Sequence, residues 1–97
     1  MDKISIGGPI YKEFDGYKVW YLNGKRHRTD GPAVEWADGT KWWYLNGERH
    51  RTDGPAIEYA DGYEAWWLNG VEHSFKQFIA KTPISEVEKT RLMLIYE

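Results

Sequence analysis

Two copies of a charged segment hold the residues best suited to chemistry. Arg26-His27-Arg28-Thr29-Asp30 is repeated as Arg49-His50-Arg51-Thr52-Asp53. A His and an Asp three positions apart could ligate a metal ion or act as an acid–base pair. In a third copy His73 remains, but Ser74 and Lys76 replace the second Arg and the Asp. Because the His persists where its partners are lost, we interpret these loops as structural, with Asp accepting turn N–H bonds and Arg pairing with carboxylates.

No other segment has a catalytic or cofactor-binding pattern. The chain has no cysteine, and none of Ser5, Ser74 and Ser85 lies in a Gly-x-Ser-x-Gly segment. Gly7-Gly8-Pro9 lacks the Lys and the following helix of a phosphate-binding loop. We therefore predict a protein that is not an enzyme, with no catalytic residue, no metal site and no cofactor.

Length and charge narrow the function classes further. The 97 residues suffice for one small domain, and 15 acids against 13 bases leave a net charge of −2. A protein held to nucleic acid by phosphate contacts is normally basic, so we expect no nucleic-acid partner. No apolar run approaches the ~20 residues of a membrane-spanning helix, and residues 1–10 lack a signal-peptide pattern. These features predict a cytoplasmic protein without a membrane partner.

Internal repetition determines the predicted architecture. Tyr21-Leu22-Asn23-Gly24 recurs as Tyr44-Leu45-Asn46-Gly47 and as Trp67-Leu68-Asn69-Gly70, each step being 23 residues. Windows 21–43 and 44–66 are identical at 17 positions. The three sequence repeats span roughly 8–30, 31–53 and 54–76.

Each repeat reads as antiparallel strands joined by glycine turns. Asn-Gly and Asp-Gly are the strongest short hairpin signals, because a type I′ turn needs positive φ at both central residues. In the second repeat we expect strands over 33–37 and 40–45, turns at Asp38-Gly39 and Asn46-Gly47, and a return segment over 48–53. The predicted fold class is mainly β: a single-layer elongated antiparallel sheet of three 23-residue hairpin repeats with a short C-terminal helical cap.

Alternation along the strands assigns side chains to the two faces of the sheet. One column is invariant: Trp20, Trp43 and Trp66. With the Leu two residues later in each repeat, we expect it to form a buried apolar spine. The column on the other face varies in size: Val19, Trp42 and Ala65. Since a closely packed layer tolerates such variation poorly, that face is predicted to be the more exposed one.

The repetition ends after His73, where helix signals begin. Ser74-Phe75-Lys76-Gln77 is a capping-box pattern, and Ser85-Glu86-Val87-Glu88 is a second one that opens a helix of roughly ten residues. We therefore divide the chain into hairpin repeats over 1–73 and a helical cap over 74–97, which would cover the open end of the sheet.

The repeat resembles the MORN (membrane occupation and recognition nexus) repeat. Its length, the segment Trp43-Tyr44-Leu45-Asn46-Gly47 and the turn Asp38-Gly39 carry the resemblance, which covers roughly residues 8–73. The usual Gly-x-Gly after the turn is replaced by His50-Arg51-Thr52-Asp53-Gly54-Pro55-Ala56, a departure that argues against carrying over lipid binding. This variant, with its helical tail, is similar to small repeat proteins encoded by bacteriophages. The resemblance implies a single-layer sheet used as an interaction scaffold, without catalytic residues.

Aromatic residues outside the invariant column mark the expected binding surface. The chain has six Trp, seven Tyr and three Phe. They could pack across strands in a one-layer sheet or form a protein-binding face, because Trp, Tyr and Arg dominate binding hot spots, and the sequence leaves both interpretations open. The residues that we assign to partner binding are Trp36, Trp42, Tyr59, Tyr63, Arg26, Arg28, Arg49 and Arg51.

These features together predict a non-catalytic protein-binding module. The resemblance implies a phage-encoded protein that binds and blocks a host protein, such as a defence protein, in the host-cell cytoplasm. The alternative is a structural or homo-oligomerising scaffold, and a small hydrolase or nucleotide-binding protein is the least favoured hypothesis. The sequence does not identify the partner, and it leaves a homodimer open.

Overall fold

The strands follow one another around glycine turns, as the repeats predict. The computed structural model describes residues 8–97. Its strands and helices within that range are β1 Ile10–Phe14, β2 Tyr17–Leu22, β3 Lys25–Arg26, β4 Val34–Trp36, β5 Lys41–Trp42, β6 Tyr44–Leu45, β7 Glu48–Arg49, β8 Ile57–Glu58, β9 Glu64–Leu68, β10 Val71–His73, α1 Phe75–Lys81 and α2 Glu86–Tyr96. The strand pairs are antiparallel, which confirms the predicted mainly β fold class with a helical C-terminal segment.

The two kinds of glycine turn differ in backbone conformation. At Asn46-Gly47 both residues have positive φ, 51° and 82°, as a type I′ turn requires. At Asp38-Gly39 only the Gly has positive φ, 99°, because the loop contains three residues, from Ala37 to Gly39. The Asp38 carboxylate accepts the backbone N–H of Thr40 at 2.9 Å instead. The type I′ prediction is therefore confirmed for this Asn-Gly turn and wrong for this Asp-Gly turn.

Beside β2, and again beside β5 and β6, two short strands lie end to end with a loop between them. β2 pairs with β4 through Val19 and Val34, and with β3 through Tyr21 and Arg26. Between these two strands the loop 27–33 leaves the plane of the sheet. β7 and β8 enclose the loop 50–56 in the same way, so the return segment after Asn46-Gly47 begins as a strand.

The loop histidines join consecutive repeats. His27 Nδ1 accepts the backbone N–H of Asn46 at 2.9 Å, and His50 Nδ1 accepts that of Asn69 at the same distance. Beside the first bond, Gly47 N–H donates to the carbonyl of Arg26. These imidazoles hold the Asn-Gly turn of the following repeat, which supports our structural interpretation of the loops.

The relative exposure of the two faces of the sheet differs from the one that the sequence predicts. The front face carries Val19, Trp42 and Ala65, and the back face carries Trp20, Trp43 and Trp66. On the front face Val19 and Ala65 are buried, at 1% and 6% exposure, and Trp42 is half-buried. On the back face only Trp66 is buried, while Trp20 and Trp43 are half-buried. The prediction that the variable column is the exposed one is therefore wrong.

The C-terminal helices pack on the back face over the last hairpin. Ser74 forms the predicted capping box with Gln77, in which each side chain bonds the other residue's backbone N–H. Phe78 of α1 is fully buried against Trp66 and Leu92 of α2. Thr82, at the end of α1, donates its hydroxyl to the carbonyl of Thr52 at 2.6 Å. The cap is thus tied to both the last hairpin and the preceding loop.

The molecule is elongated, with principal extents of 47 × 29 × 21 Å. Strand order explains this shape, since each repeat adds two strand positions of about 4.8 Å each along one axis. Within residues 8–97, neither helix has the length and apolar character needed to cross a membrane.

Candidate protein-binding face

Side chains on the front face form three rows that cross the strands. The central row, given by the strand registers, contains Val19, Val34, Trp42, Ile57 and Ala65. The aromatic row, beside the Asp-Gly turns, contains Phe14, Tyr17, Trp36, Tyr59 and Tyr63. The cation–aromatic row, beside the Asn-Gly turns, contains Tyr21, Arg26, Tyr44, Arg49, Trp67 and Glu72.

Rings of the aromatic row stack in series and cover the central row. Phe14 and Tyr17 have centroids 5.0 Å apart, and Tyr17 lies 4.8 Å from Trp36. Trp36 meets Trp42 edge to face at 5.1 Å, and the two rings pack against Val34. Large rings thus bury the small central residues, although the sheet is only one layer deep.

Part of the aromatic row remains open to solvent. Tyr59 and Tyr63 form a pair with centroids 5.8 Å apart, and they are 42% and 60% exposed. At the other end of the row Phe14 is 45% exposed. Rings held by a sheet lose little conformational entropy on binding, and aromatic anchors of this kind are enriched at interface hot spots.

Arginines stack on rings in the cation–aromatic row. The Arg26 guanidinium lies 5.5 Å from the centroid of Tyr44, and that of Arg49 lies 4.9 Å from the centroid of Trp67. Arg49 Nε also donates to the Tyr44 hydroxyl at 3.3 Å. Both cations are therefore held in fixed positions by neighbouring aromatic side chains rather than by carboxylates.

The positive charges of this row lack ionic partners in the described part of the chain. Lys12, which lies opposite Val19 of the central row, places its Nζ 5.7 Å from the Tyr21 ring, so a third cation lies on the front face. Within residues 8–97 the ion pairs involve Arg28, Arg51 and Lys89, so none includes a front-face cation. The front face thus keeps charge available for an external anion.

Arg51, by contrast, is committed to contacts with its own repeat and with the following one on the back face. Its guanidinium lies 3.9 Å from the Trp43 ring centroid. Nε donates to Asp53 at 2.9 Å, and Nη1 donates to the Pro55 carbonyl and to Glu58 at 3.1 and 3.2 Å.

Arg28 repeats this arrangement one repeat earlier. It stacks on Trp20 at 3.9 Å and donates to Asp30, Glu35 and the Pro32 carbonyl. Both arginine side chains are only 21% exposed. Both arginines therefore have a role within the chain, since they bind the loops to the sheet, and their assignment to partner binding stays a prediction.

A groove of about 570 Å³ lies between the two loops, with Trp43 and Leu45 among its lining residues. The groove has no catalytic arrangement of side chains, because the carboxylates of Asp30 and Asp53 bond the Nε atoms of Arg28 and Arg51 and the His50 Nδ1 atom already accepts a backbone N–H. Within residues 8–97, no group of three or more His, Asp or Glu side chains is placed to hold a metal ion.

Asp30 shows the electrostatic effect of its loop arginine. The hydrogen bond and charge of Arg28 lower the pKa of the Asp30 carboxyl below its ordinary value of 3.8. This carboxylate therefore stays ionised and bound to its arginine at neutral pH, and it is no source of protons there.

The structure divides the sequence-predicted site residues between the two faces. Six of them share the front face: Trp36, Trp42, Tyr59, Tyr63, Arg26 and Arg49. Arg28 and Arg51 lie on the back face. Trp42 is on the predicted face but is half-buried, with an indole N–H that is buried and has no acceptor within residues 8–97. It contributes to the front-face core more than to an exposed surface.

Sequence reasoning missed several members of the same face. These are Phe14, Tyr17, Tyr21, Tyr44 and Trp67. The signal for them was present, since residues at even spacings along one strand share a face. Applied from Val19, this rule places Tyr17 and Tyr21 beside it.

Comparison of the chain with protein-family models, curated proteins and solved structures gives no match in any of the three.

Proposed function

We propose that the chain is a non-catalytic protein-binding module that contacts its partner through the front face. The observation that carries this proposal is the exposed pair Tyr59 and Tyr63 on the same face as Arg26 and Arg49, two cations that have no ion-pair partner within residues 8–97. Trp, Tyr and Arg are the residue types enriched at binding hot spots.

The nature of the partner rests on the resemblance of the repeats to those of small phage-encoded proteins. On that basis, the partner is a host protein, such as a defence protein, in the host-cell cytoplasm. A face of this kind would block the partner by covering part of its surface.

A pull-down with matched variants tests the proposal. Tyr59→Ser/Tyr63→Ser removes the exposed pair, and Val87→Ser/Leu94→Ser removes two exposed apolar side chains of α2 as the control. We expect the first variant to lose a partner that the wild type and the control both retain, at equal amounts of folded protein by circular dichroism. Equal retention by all three proteins would contradict a front-face site.

A homo-oligomerising scaffold is the second candidate, and the edge strand β1 favours it. Within residues 8–97 β1 is the outermost strand at one end of the sheet, and Ile10, Tyr11 and Phe14 are exposed along it, where a second chain could extend the sheet. Light scattering during size exclusion distinguishes the candidates, because a scaffold increases in mass with concentration and a module does not. The substitution Tyr11→Lys should abolish this increase in mass with concentration.

A further inference from the structure

The two arginines of the cation–aromatic row are separated by a distance that the strand order fixes. Arg26 lies on β3 and Arg49 on β7, with β6 between them, because Gly47 N–H bonds the Arg26 carbonyl and Tyr44 pairs with Arg49. Two strand spacings separate the guanidinium-bearing positions, which amounts to about 10 Å. The row therefore offers two cations about 10 Å apart across the strands.

Charge is segregated between the two faces of the sheet. On the back face, cross-strand neighbours alternate in sign from Lys18 through Glu35 and Lys41 to Glu58, and Glu58 then lies opposite a second acid, Glu64. Within residues 8–97 the front-face cations have no carboxylate directly opposite them, and the row turns acidic only at Glu72, at the position equivalent to Arg26 and Arg49. An anionic partner is thus favoured by the front face and not by the back face.

We infer that the cation–aromatic row binds an acidic segment of the partner protein in a polyproline II conformation. This inference rests on the proposed function and names the chemistry of its partner. A polyproline II helix has three residues per turn and rises ~3.1 Å per residue, so side chains at every third position recur at about 9 Å on one edge. Carboxylates at those positions match the spacing of Arg26 and Arg49.

An acidic peptide fits this row better than a nucleic acid does. Three front-face cations would neutralise few phosphates, and the net charge of −2 and the terminal Glu72 oppose a long polyanion. A short segment with few carboxylates can be neutralised by these three cations, and when bound it would end before it reaches Glu72.

Isothermal titration calorimetry tests the inference, with each synthetic probe titrated into the protein. The probes are four repeats of Glu-Pro-Pro, the same peptide with Lys in place of Glu, and a fifteen-nucleotide oligothymidylate. The variant is Arg26→Gln/Arg49→Gln, and Lys18→Gln/Lys41→Gln is the control, since it removes the same charge from the back face. Arg26→Gln alone is a milder variant, because Arg26 is exposed and Arg49 bonds Tyr44.

We expect the Glu-Pro-Pro peptide to bind the wild type and the Lys peptide not to bind. The front-face variant should bind at least about tenfold more weakly, and the control should stay within about twofold of wild type. Equal weakening in both variants, or no binding of the acidic peptide, would overturn the inference. Tighter binding of the oligothymidylate that depends on Arg26 would assign the row to nucleic acid instead. Since the pull-down changes only Tyr59 and Tyr63, it reports on the proposed function whatever the peptides show.

Discussion

At the scale of single residues, Arg51 takes the place of a second layer over Trp43. A sheet one layer deep leaves its back-face rings without cover, and the guanidinium plane supplies that cover while its N–H groups bond Asp53, Pro55 and Glu58. Its planar fork suits this task better than a Lys ammonium would, because it stacks and donates at once. The guanidinium can occupy this place because residue 54 is a glycine, since a Cβ at Gly54 would lie 2.6 Å from Arg51 Cζ.

We expect Gly54→Ala to lower the free energy of unfolding by ~1–3 kcal/mol, because the added methyl displaces the guanidinium from Trp43. Gly8→Ala is the control, since no non-neighbouring atom of residues 8–97 lies within 4 Å of a Cβ there. The measurement is urea unfolding of these two variants, of Arg51→Ala, and of Gly54→Ala combined with Arg51→Ala. If the Gly54 substitution costs as much without Arg51 as with it, the steric explanation is wrong.

The carboxylates of Asp30 and Asp38 should make stability depend on pH in the acid range. Arg28 lowers the pKa of Asp30, and the backbone N–H of Thr40 lowers the pKa of Asp38, both from 3.8. Because the folded pKa values are depressed, their stabilisation is present above about pH 4 and is lost as the pH falls through the lowered values.

Thermal midpoints between pH 2 and pH 6 test this dependence. The double variant Asp30→Asn/Asp38→Asn should be less stable than wild type near neutrality and lose less stability on acidification. An acid loss as steep in the double variant as in the wild type would assign the effect to other groups.

At the scale of elements, the C-terminal helices replace the loop arginine of the last repeat. Ser74 stands where Arg28 and Arg51 stand in the earlier repeats, and the Trp66 ring is covered by Phe75 and Phe78 instead. Tyr96 of α2 adds an edge-on contact at 4.9 Å. Trp66 is buried as a result, whereas Trp43 is half-buried under its guanidinium.

Trp66→Ala should therefore destabilise the protein more than Trp43→Ala. Truncating a fully packed aromatic costs ~3–5 kcal/mol, and a half-buried ring under a solvated cation costs less. Chemical unfolding followed by far-ultraviolet circular dichroism measures both values on the same scale. A larger loss for Trp43→Ala would contradict the division of roles between arginine and helices.

The Asn-Gly turns and the helix starts were predictable from the sequence, whereas the conformation of the Asp-Gly turn and the relative burial of the faces were not. Asn46-Gly47 and Ser74-Phe75-Lys76-Gln77 act through neighbours a few residues away, so local residue types are sufficient. The cover of Trp43 depends on the guanidinium of the loop residue Arg51, and the burial of Val19 depends on rings from β2, β4 and β5. Variation in the column of Trp42 therefore did not indicate exposure, because rings of the neighbouring row fill the space.

At the scale of the whole molecule, the sheet separates two tasks between its faces. The back face holds the loops and the helical cap, which use Arg28, Arg51 and the last hairpin for stability. The front face buries its small residues under its own rings and leaves Tyr59, Tyr63 and the cations of the cation–aromatic row toward solvent. An elongated sheet of this kind presents a continuous surface for a partner, while its loops and helical cap pack on the other face.

The central claim is that the partner lies on the front face, and site-specific photo-crosslinking tests it most directly. A photoreactive phenylalanine analogue replaces Tyr63 on the front face or Leu94 on α2, both of which are exposed. We predict a crosslinked partner band from position 63 and none from position 94. A band from position 94 alone would place the partner on the helical cap and contradict the account.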